Sequence, residues 1–474
     1  MSVTLKFLST GNAKFLTPAY SDIVVQASNI PSNIYNNKFN VKYLCSIIVN
    51  GTTVATLKAV PNPNANRRAL FRIQSILQDF TQTDKLGFET SLQNADSTFN
   101  GQFFIDAPHA IHQIDKYARN KENLRHVFCL GGYEYSETVN SEIEQVFSLD
   151  TDAQFLFLNS VAQHVEGFSS TDYTDYMLTA GNKKFLSIFP NIFSSTNKGQ
   201  KIQGSQFHTL AFFNGKHFLD SEVTRIRIQT YDSDDVLIDE KFVDNTNANG
   251  GAAFGSNITY NNFTNAGNTD EGLLYFGCGT AQLKLLGFNL ANVSSYFVRA
   301  LNVSNNVSNS YRFDIQAPDC KGFETIRLAF LNRLGTYDYY NFTKKSIRTT
   351  QIQKSPIKQN YGHQTENSTN FAGALQNLPI YTQGTYDGGT RTFNVNAIET
   401  IEANTDFITE EEAILLEELF TSSDVYMQTG STFEPVVINE TEYIKQTTAN
   451  DMLKQYIITI EKAHNTRVQR IWLD

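Results

Sequence analysis

The feature that most constrains the fold of this chain is a recurring hairpin pattern, in which two runs of alternating apolar residues flank a short polar turn. Residues 41–60 read VKYLCSIIVNGTTVATLKAV, with Asn50 and Gly51 at the centre. An Asn-Gly pair is a strong hairpin signal because both turn residues need a positive φ angle. Residues 224–243 and 324–343 repeat the pattern with different turns. The chain is therefore predicted to form antiparallel sheets.

The third hairpin carries an aromatic cluster with three candidate explanations: a platform for sugar or nucleic acid, the lining of a site, or the inside of a sheet. In a strand, Tyr337 and Tyr339 point to one face, and Tyr340 and Phe342 point to the other. A platform needs its aromatic rings on one exposed face. The split therefore predicts a strand that is buried on both sides, after a turn in which Gly335 is left-handed.

The composition favours a β-rich chain with more than one domain. The 474 residues include 36 Phe and 22 Tyr, which suit half-buried pleated surfaces. The length exceeds one ordinary domain. We expect a β-sandwich-like domain with one helix in residues 1–148 and a β-sandwich-like domain with a long Asn/Gly-rich loop in residues 149–318. Residues 319–474 are expected to form a β-rich domain with one amphipathic helix. The predicted fold class is mainly β, with several β-sandwich or hairpin-rich domains, a few short helices and a small α+β C-terminal region.

Two segments, residues 68–80 and 406–427, have helical periodicity. In the second, Thr409 and Glu412 fit a capping box, and we expect the helix to cap a small sheet. Residues 244–272 have no periodicity and predict a long exposed loop, and residues 354–377 are predicted to be a second one. The predicted apolar faces are Leu70, Ile73, Ile76 and Leu77 in the first helix and Ala413, Leu416, Leu419 and Phe420 in the second.

The charge pattern argues against two classes of partner. The formal net charge is −10, and no Lys/Arg block provides a footprint for a phosphate backbone or an anionic membrane. The N-terminus lacks the apolar core of a signal peptide, and no run approaches the roughly 18 apolar residues of a membrane span. We therefore expect a soluble protein made in a cytoplasm, without direct nucleic-acid readout or membrane insertion.

The cysteines are predicted to be structural thiols, because they are widely scattered and never form C-x-x-C. One arrangement superficially resembles a four-ligand zinc site: His109 and His112 are followed by His126 and Cys129. A strand and a loop could converge there, but nothing in the spacing requires it. We therefore predict no metal. The four cysteines are Cys45, Cys129, Cys278 and Cys320.

Two groups of carboxylates could form a functional site, but each also has a structural explanation. Asp232, Asp234 and Asp235 could bind calcium, but an Asp-rich hairpin turn explains all three. Residues 410–412 and 417–418 resemble the paired carboxylates of a glycosidase. On a helix they would lie on the solvated side or near the positive N-terminal end instead.

The search for catalytic motifs is negative. The sequence contains no serine-hydrolase elbow, no H-E-x-x-H and no phosphate-binding P-loop. Residues 277–282, GCGTAQ, begin like a dinucleotide-binding fingerprint but place Gln282 where the third small residue is required. We therefore predict no enzyme activity, no catalytic residues and no cofactor.

The order of these elements resembles that of a family of virion proteins from tailed bacteriophages, best represented among phages of marine and Bacteroidetes-type hosts. The strongest similarity is in residues 320–346, where Cys320, Arg327, Leu331, Asn332, Leu334, Gly335, Asp338 and Phe342 fit the family pattern. Residues 126–136 fit it less well, because Gly131, Gly132 and Tyr133 stand in place of a Gly-Glu-Glu-Tyr. The other similar segments are residues 47–80, 175–191, 207–214, 230–239, 415–427 and 453–465.

The resemblance implies a tail, baseplate or ring-adaptor component that acts by assembly and not by catalysis. The expected partners are further copies of the chain, in a homo-oligomeric ring, and neighbouring tail proteins. The expected location is the virion tail, assembled in the host cytoplasm, where the long loops would become ordered against neighbours. The main alternative is a receptor- or carbohydrate-binding tail protein, and a glycoside hydrolase or other depolymerase is a third.

Overall fold

The structure is a computed structural model that describes most of the chain, and its fold is mainly β, as predicted. The residues described are 3–8, 16–49, 51–64, 66–83, 117–119, 123–148, 154–161, 172–189, 199–215, 223–244, 272–302, 305–317, 322–359, 363–365, 380–382, 389–408, 410–430, 432–440, 455–465 and 467–470.

The helices and strands of the described residues are as follows. The helices are α1 (Ser32–Asn37), α2 (Gln74–Gln78), α3 (Thr280–Leu285) and α4 (Glu410–Thr421), with a 3-10 turn at Asp172–Tyr176. The first half of the strands comprises β1 (Thr4–Phe7), β2 (Leu16–Pro18), β3 (Val24–Ser28), β4 (Phe39–Val49), β5 (Thr52–Ala59), β6 (Ala69–Arg72), β7 (Tyr117–Arg119), β8 (Leu124–Ser136), β9 (Ile143–Ser148), β10 (Gln154–Leu158), β11 (Gln200–Ile202), β12 (Thr209–Asn214), β13 (Arg225–Tyr231) and β14 (Leu237–Asp244). The second half comprises β15 (Gly272–Gly277), β16 (Ser295–Asn302), β17 (Asn305–Asn306), β18 (Tyr311–Ile315), β19 (Ile326–Leu331), β20 (Tyr337–Phe342), β21 (Ser346–Gln359), β22 (His363–Thr365), β23 (Ile380–Thr382), β24 (Gly389–Asn404), β25 (Val425–Thr429), β26 (Thr432–Ile438), β27 (Ile457–Lys462) and β28 (Arg467–Arg470).

The N-terminal part of the chain is a sandwich of two sheets. One sheet has the order β1-β3-β6, and the other has the order β2-β10-β8-β4-β5, with β9 paired to β8. The predicted hairpin at Gly51 is confirmed, since β4 and β5 pair around it and its φ angle is +84°. The core between the sheets includes Leu5, Val25, Phe71, Tyr43, Cys45, Ile47, Val127, Cys129, Phe155 and Phe157.

The prediction of a helix over residues 68–80 is wrong for its first half. That half is strand β6, which pairs with β3, and α2 follows it. The side chains in β6 alternate, with Phe71 buried and Leu70 58% exposed. Pairing with β3 places every second residue in the sandwich core, so tertiary contacts override the helical spacing of the apolar residues.

The central part of the chain is a second sandwich. One sheet has the order β11-β18-β16-β13-β14, with β17 paired to β16, and it packs against the sheet β12-β15-β7. The predicted hairpin over residues 224–243 is confirmed as β13 and β14, and Ile226 and Ile228 are buried. Residues 245–271, most of the long loop predicted there, lie outside the described residues.

The two sandwiches exchange strands across residue 148. Strand β10 lies beyond it but pairs with β2 and β8, and β7 lies before it but pairs with β15. A shared core lies between the sheet that contains β2, β10 and β8 and the sheet that contains β12 and β15. The domain boundaries at 148 and 318 remain predictions. The shared core contains Leu16, Leu124, Leu156, Leu158, Tyr173, Leu186, Ala211, Phe213, Leu273, Tyr275 and Leu334.

The C-terminal part is an extended sheet covered by α4, and it is larger than the small sheet predicted. Its order is β20-β19-β25-β26-β27-β24-β21, with β28 paired to β24, and β22 pairs with β23 separately. The predicted apolar face of α4 is confirmed, because Ala413, Leu416 and Leu419 are buried and Phe420 packs against the same core. Thr409, the predicted cap residue, lies outside the described residues.

The hairpin of β19 and β20 is buried on both faces, as its split aromatic pattern predicts. Tyr337 and Tyr339 pack in one cluster with Ala329. Phe342 and the partly buried Tyr340 pack on the other face, in the core beneath α4. The turn between the strands ends at Gly335, whose φ angle of +80° is the left-handed conformation predicted for it.

We expect Gly335→Ala to lower the free energy of unfolding by more than about 3 kcal/mol. A Cβ atom at this position would lie 2.2 Å from the Asn159 carbonyl oxygen, so the backbone would have to move as well as adopt the left-handed conformation. Gly430 is the matched control, because its φ angle is +63° and a Cβ atom there meets nothing within 4 Å. Gly430→Ala should cost about 1 kcal/mol. Urea unfolding of both variants measures the difference, and equal losses would show that the close approach at Gly335 does not matter.

Candidate functional site

The carboxylate of Asp338 is buried in the middle of β20. It accepts hydrogen bonds from the Ser187 hydroxyl, from the Ile188 backbone N–H at 3.0 Å and from the Asn332 side-chain amide at 2.7 Å. Burial raises the pKa of Asp338, and the three donors oppose that rise. The carboxylate therefore ties the C-terminal hairpin to the segment that precedes the central sandwich.

Arg327, in the neighbouring strand β19, makes the second tie to the central part. Its guanidinium donates to the Phe207 carbonyl oxygen at 2.8 and 3.1 Å and to the Asn341 side-chain oxygen at 2.9 Å. It also lies 3.1 Å from Nδ1 of His208 and 4.9 Å from the centre of the Tyr339 ring. These acceptors are uncharged, and burial lowers the pKa of Arg327 to about 10.

The turn of the same hairpin contacts the N-terminal sandwich. The side chain of Asn123 donates to the Gly335 carbonyl oxygen and accepts from the Asn159 backbone N–H at 2.9 Å. The Val161 backbone N–H donates to the Arg333 carbonyl oxygen at 2.9 Å. Residues 326–342 therefore touch all three parts of the chain, and we call them the junction hairpin.

Glu418 corrects the prediction that the glutamates of α4 lie on its solvated side. Its carboxylate is buried and accepts from the Arg333 backbone N–H at 3.0 Å, and burial raises its pKa. The local helix pattern does not show this contact, because the turn that Glu418 meets lies 85 residues earlier in the chain. The side chains at 410 and 411 lie outside the described residues.

A cleft opens beside β20 and is lined by parts of several elements. The described lining contains one carboxylate, that of Glu412, and one ammonium group, that of Lys201, which lies 3.5 Å from Asp406. Glycoside hydrolysis needs two carboxylates flanking the bond, and this lining supplies one. The other lining residues are Phe189, Gly199, Gln200, Tyr339, Tyr340, Asn341 and Ile408.

The residues of the zinc-like arrangement are not brought together by β8. His126 and Cys129 both lie in that strand, where an odd spacing places them on opposite faces. The thiols of Cys45, Cys129 and Cys278 are buried, so the prediction of structural thiols is confirmed for these three. His109, His112 and Cys320 lie outside the described residues, within which no His, Cys, Asp or Glu cluster could hold a metal ion.

The Asp-rich segment is a hairpin turn, as its structural explanation predicts. One carboxylate oxygen of Asp232 accepts from the backbone N–H groups of Asp234 and Val236, both at 2.9 Å. Asp235 adopts a positive φ angle of 57°, which Asp tolerates in turns. These contacts use the Asp232 side chain to close the turn.

Residues 277–282 do form the end of a strand, a turn and the start of a helix. The N-terminus of that helix, however, contacts residues 206–208 of the chain itself. The Gln282 side-chain oxygen accepts from the backbone N–H groups of Gly279 and His208, at 2.9 and 3.0 Å. A Cβ atom at Gly279 would lie 2.4 Å from the Gln206 carbonyl oxygen. Strand β15 is antiparallel to β12, in contrast to the parallel strands of a dinucleotide-binding unit. The glycine therefore permits close packing of residues 206–208.

The feature that the sequence interpretation missed is the long pairing of β21 with β24 at one side of the C-terminal sheet. Residues 354–359 were predicted to begin a loop, but they continue β21, which has 14 residues and spans about 45 Å. It pairs with β24 along its full length. The alternation FNVNAI in β24, residues 393–398, is the sequence signal that could have revealed it. We call residues 346–359 and 389–398 the arm.

Strand β21 of the arm is exposed, the facing part of β24 is mostly half-buried, and the arm as a whole is basic. All of residues 347–356 are exposed, including Ile352 at 59%, and the core beneath α4 involves β24 only near its C-terminal end, at Ile401 and Ala403. Lys354, Lys358 and Arg391 are exposed, and residues 349–359 and 389–398 contain no Asp or Glu. The arm therefore opposes the net charge of −10 of the whole chain.

Comparisons with known proteins add no relative. No protein-family model matches the chain, and no curated protein matches it. The helices in the described part of the chain are too short or too polar to cross a membrane.

Two substitutions test the Asp338 contacts. We expect Asp338→Ala to lower the free energy of unfolding by about 2–4 kcal/mol, because three buried donors lose their acceptor. We expect Asp338→Asn to cost less than about 1 kcal/mol at neutral pH, because its amide can accept from Ile188 and Asn332 and donate to the Ser187 oxygen.

The pH dependence has a defined sign. A carboxyl whose pKa is raised by folding binds its proton more tightly in the folded state. The stability of the natural chain relative to Asp338→Asn should therefore rise as the pH falls through the folded pKa of Asp338. Urea unfolding over a pH series measures this difference. A difference that stays constant, or falls with decreasing pH, would contradict the rise that burial causes in the pKa of Asp338.

Proposed function

We propose that this chain is a structural virion protein of a tailed bacteriophage, a tail, baseplate or ring-adaptor component that acts by assembling with itself and with neighbouring tail proteins. The proposal starts from the order of sequence segments that resemble such proteins. The structural observation that carries it is the arm, whose strand β21 is exposed at residues 347–356 and forms the edge of its sheet in the described part of the chain. In this proposal the protein is assembled in the host cytoplasm and resides in the virion tail.

An exposed edge of this length needs a covering surface. Strand β28 pairs with β24 at Asn394–Ala397, but β21 is the last strand of its sheet in the described part of the chain, and its edge presents a row of backbone N–H and C=O groups. The arm also exposes apolar side chains, among them Ile347 and Ile352. Pro356, which has no N–H group, and the lysines at 354 and 358 suit an edge strand that must avoid unwanted pairing before assembly.

The junction hairpin supports the proposal because it holds the base of the arm. Strand β21 begins four residues after β20 ends. Arg327 and Asp338 fix this region to the central part through buried hydrogen bonds. A subunit that is ordered before assembly loses less conformational entropy when it binds.

Exposed apolar strips occur on two other edge strands. Strand β9 exposes Val146 and Phe147, and β14 exposes Leu237 and Phe242. A ring of identical subunits needs two different complementary surfaces on each copy. The arm and these edges provide surfaces of different character.

The alternative, carbohydrate binding, draws little support from the junction hairpin. Tyr337, Tyr339 and Phe342 are buried, so they cannot stack on a sugar. The experiment described next distinguishes a structural virion protein from a carbohydrate-binding protein.

We expect the purified full-length chain to form closed rings in negative-stain images and a matching oligomer mass in solution. A variant that joins Ile352 to Ala397, which face each other in the ribbon, through an Asn-Gly turn should keep the core beneath α4 and remain monomeric. A monomeric full-length chain that binds a glycan on an array would contradict the proposal and support the alternative. Rings that persist without the arm would show that the arm is not the assembly surface.

A further inference from the structure

We infer that the arm of one copy docks along the exposed edge strand β14 of the next copy, so that subunits join head to tail. This inference rests on the proposed function and names its interface. Both surfaces belong to edge strands, since β21 and β14 each stand at the end of their sheet order in the described part of the chain.

The β14 edge has the apolar content of a surface that becomes covered. Val236, Leu237, Ile238 and Phe242 are each at least 45% exposed, and three of them are consecutive. Long exposed apolar edge strands are uncommon in free subunits because they pair with other chains. The β14 edge is thus a surface suited to strand addition.

The charges of the two surfaces are opposite. The arm exposes Lys354, Lys358 and Arg391 without a carboxylate in residues 349–359 or 389–398. Residues 232–241, in the β14 edge and its turn, contain five carboxylates and one cation, Lys241, which lies 3.5 Å from Asp239. Such complementarity orients partners and discourages wrong ones. The five carboxylates are those of Asp232, Asp234, Asp235, Asp239 and Glu240.

The lengths and side-chain faces also agree. Strand β14 has 8 residues, and β21 has 14, so β14 can pair within the part of β21 that precedes Pro356. On β21, Ile352, Lys354 and Lys358 lie on one face because they are an even number of residues apart. Strand addition in that part of β21 can therefore place Ile352 and Lys354 against the mixed apolar and acidic side chains of β14, with Lys358 just beyond the paired segment.

Strand β9 is the other acidic apolar edge, with Glu142 and Glu144 beside Ile143. It has 6 residues, and residues 137–148 contain three carboxylates, those of Glu137, Glu142 and Glu144. The β14 edge is longer and more acidic, so the observations favour it. Because the arm and the β14 edge are different surfaces, each copy can bind one neighbour through each, which is the requirement for a closed ring.

Charge reversal on each surface tests the contact. The arm variant is Lys354→Glu with Lys358→Glu, and the edge variant is Asp234→Lys with Glu240→Lys. Each variant alone should associate on the order of 100-fold more weakly than the natural chain, because like charges then face each other. An equimolar mixture should assemble again, since each reversed surface meets its complement on the other variant. The matched control is Lys6→Glu with Arg72→Glu, two exposed cations of β1 and β6.

The outcomes distinguish failure of the proposed contact between the arm and β14 from failure of the proposed function. If the natural chain forms no oligomer, the proposed function fails. If the natural chain and the control assemble but the mixture of arm and edge variants does not, the inference is overturned. Rescue of the arm variant by Glu142→Lys with Glu144→Lys, in place of the β14 variant, would also overturn it. So would an arm variant that assembles normally and instead loses binding to duplex DNA or heparin.

Discussion

The burial of one guanidinium and one carboxylate on adjacent strands is the constraint on which the three parts of the chain depend. Arg327 and Asp338 would each cost several kcal/mol if they were buried without hydrogen-bond partners. Their partners lie in the central part of the chain, at Phe207 and at residues 187–188. The hairpin that carries them can therefore be buried only when it is docked there. Its turn then reaches Asn123 of the N-terminal sandwich.

The sequence predicts the elements whose determinants are local and misses those that depend on distant contacts. The hairpins, the apolar face of α4 and the Asp232 turn follow from short-range periodicity and turn chemistry. Strand β6 was predicted as a helix because its pairing with β3 cannot be read from spacing. The arm was missed because its polar residues and Pro356 resemble a loop. The contacts of Arg327 and Asp338 reach back 120 and 151 residues, farther than a local pattern extends.

The structure divides its polar and apolar groups in a way that suits assembly. Uncharged acceptors and donors satisfy the buried charges at the junction hairpin. Outside, positive charge is concentrated on the arm of an otherwise acidic chain, and negative charge lies beside the exposed apolar side chains of β14. Exposed charges act mainly on orientation and rate, and covered apolar area contributes most of the affinity. In the proposed ring, the charges select the partner, and the apolar strips that become buried provide most of the stability.

Hydrogen exchange of the β21 backbone tests the central claim most directly, because edge amides exchange with solvent unless another strand covers them. The measurement compares dilute subunits with assembled protein, with the amides of the buried strand β19 as an internal reference. We predict that assembly protects the amides of β21 and β14 together and leaves those of β19 unchanged. Assembly that leaves the β21 amides exchanging as they do in the free subunit would contradict it.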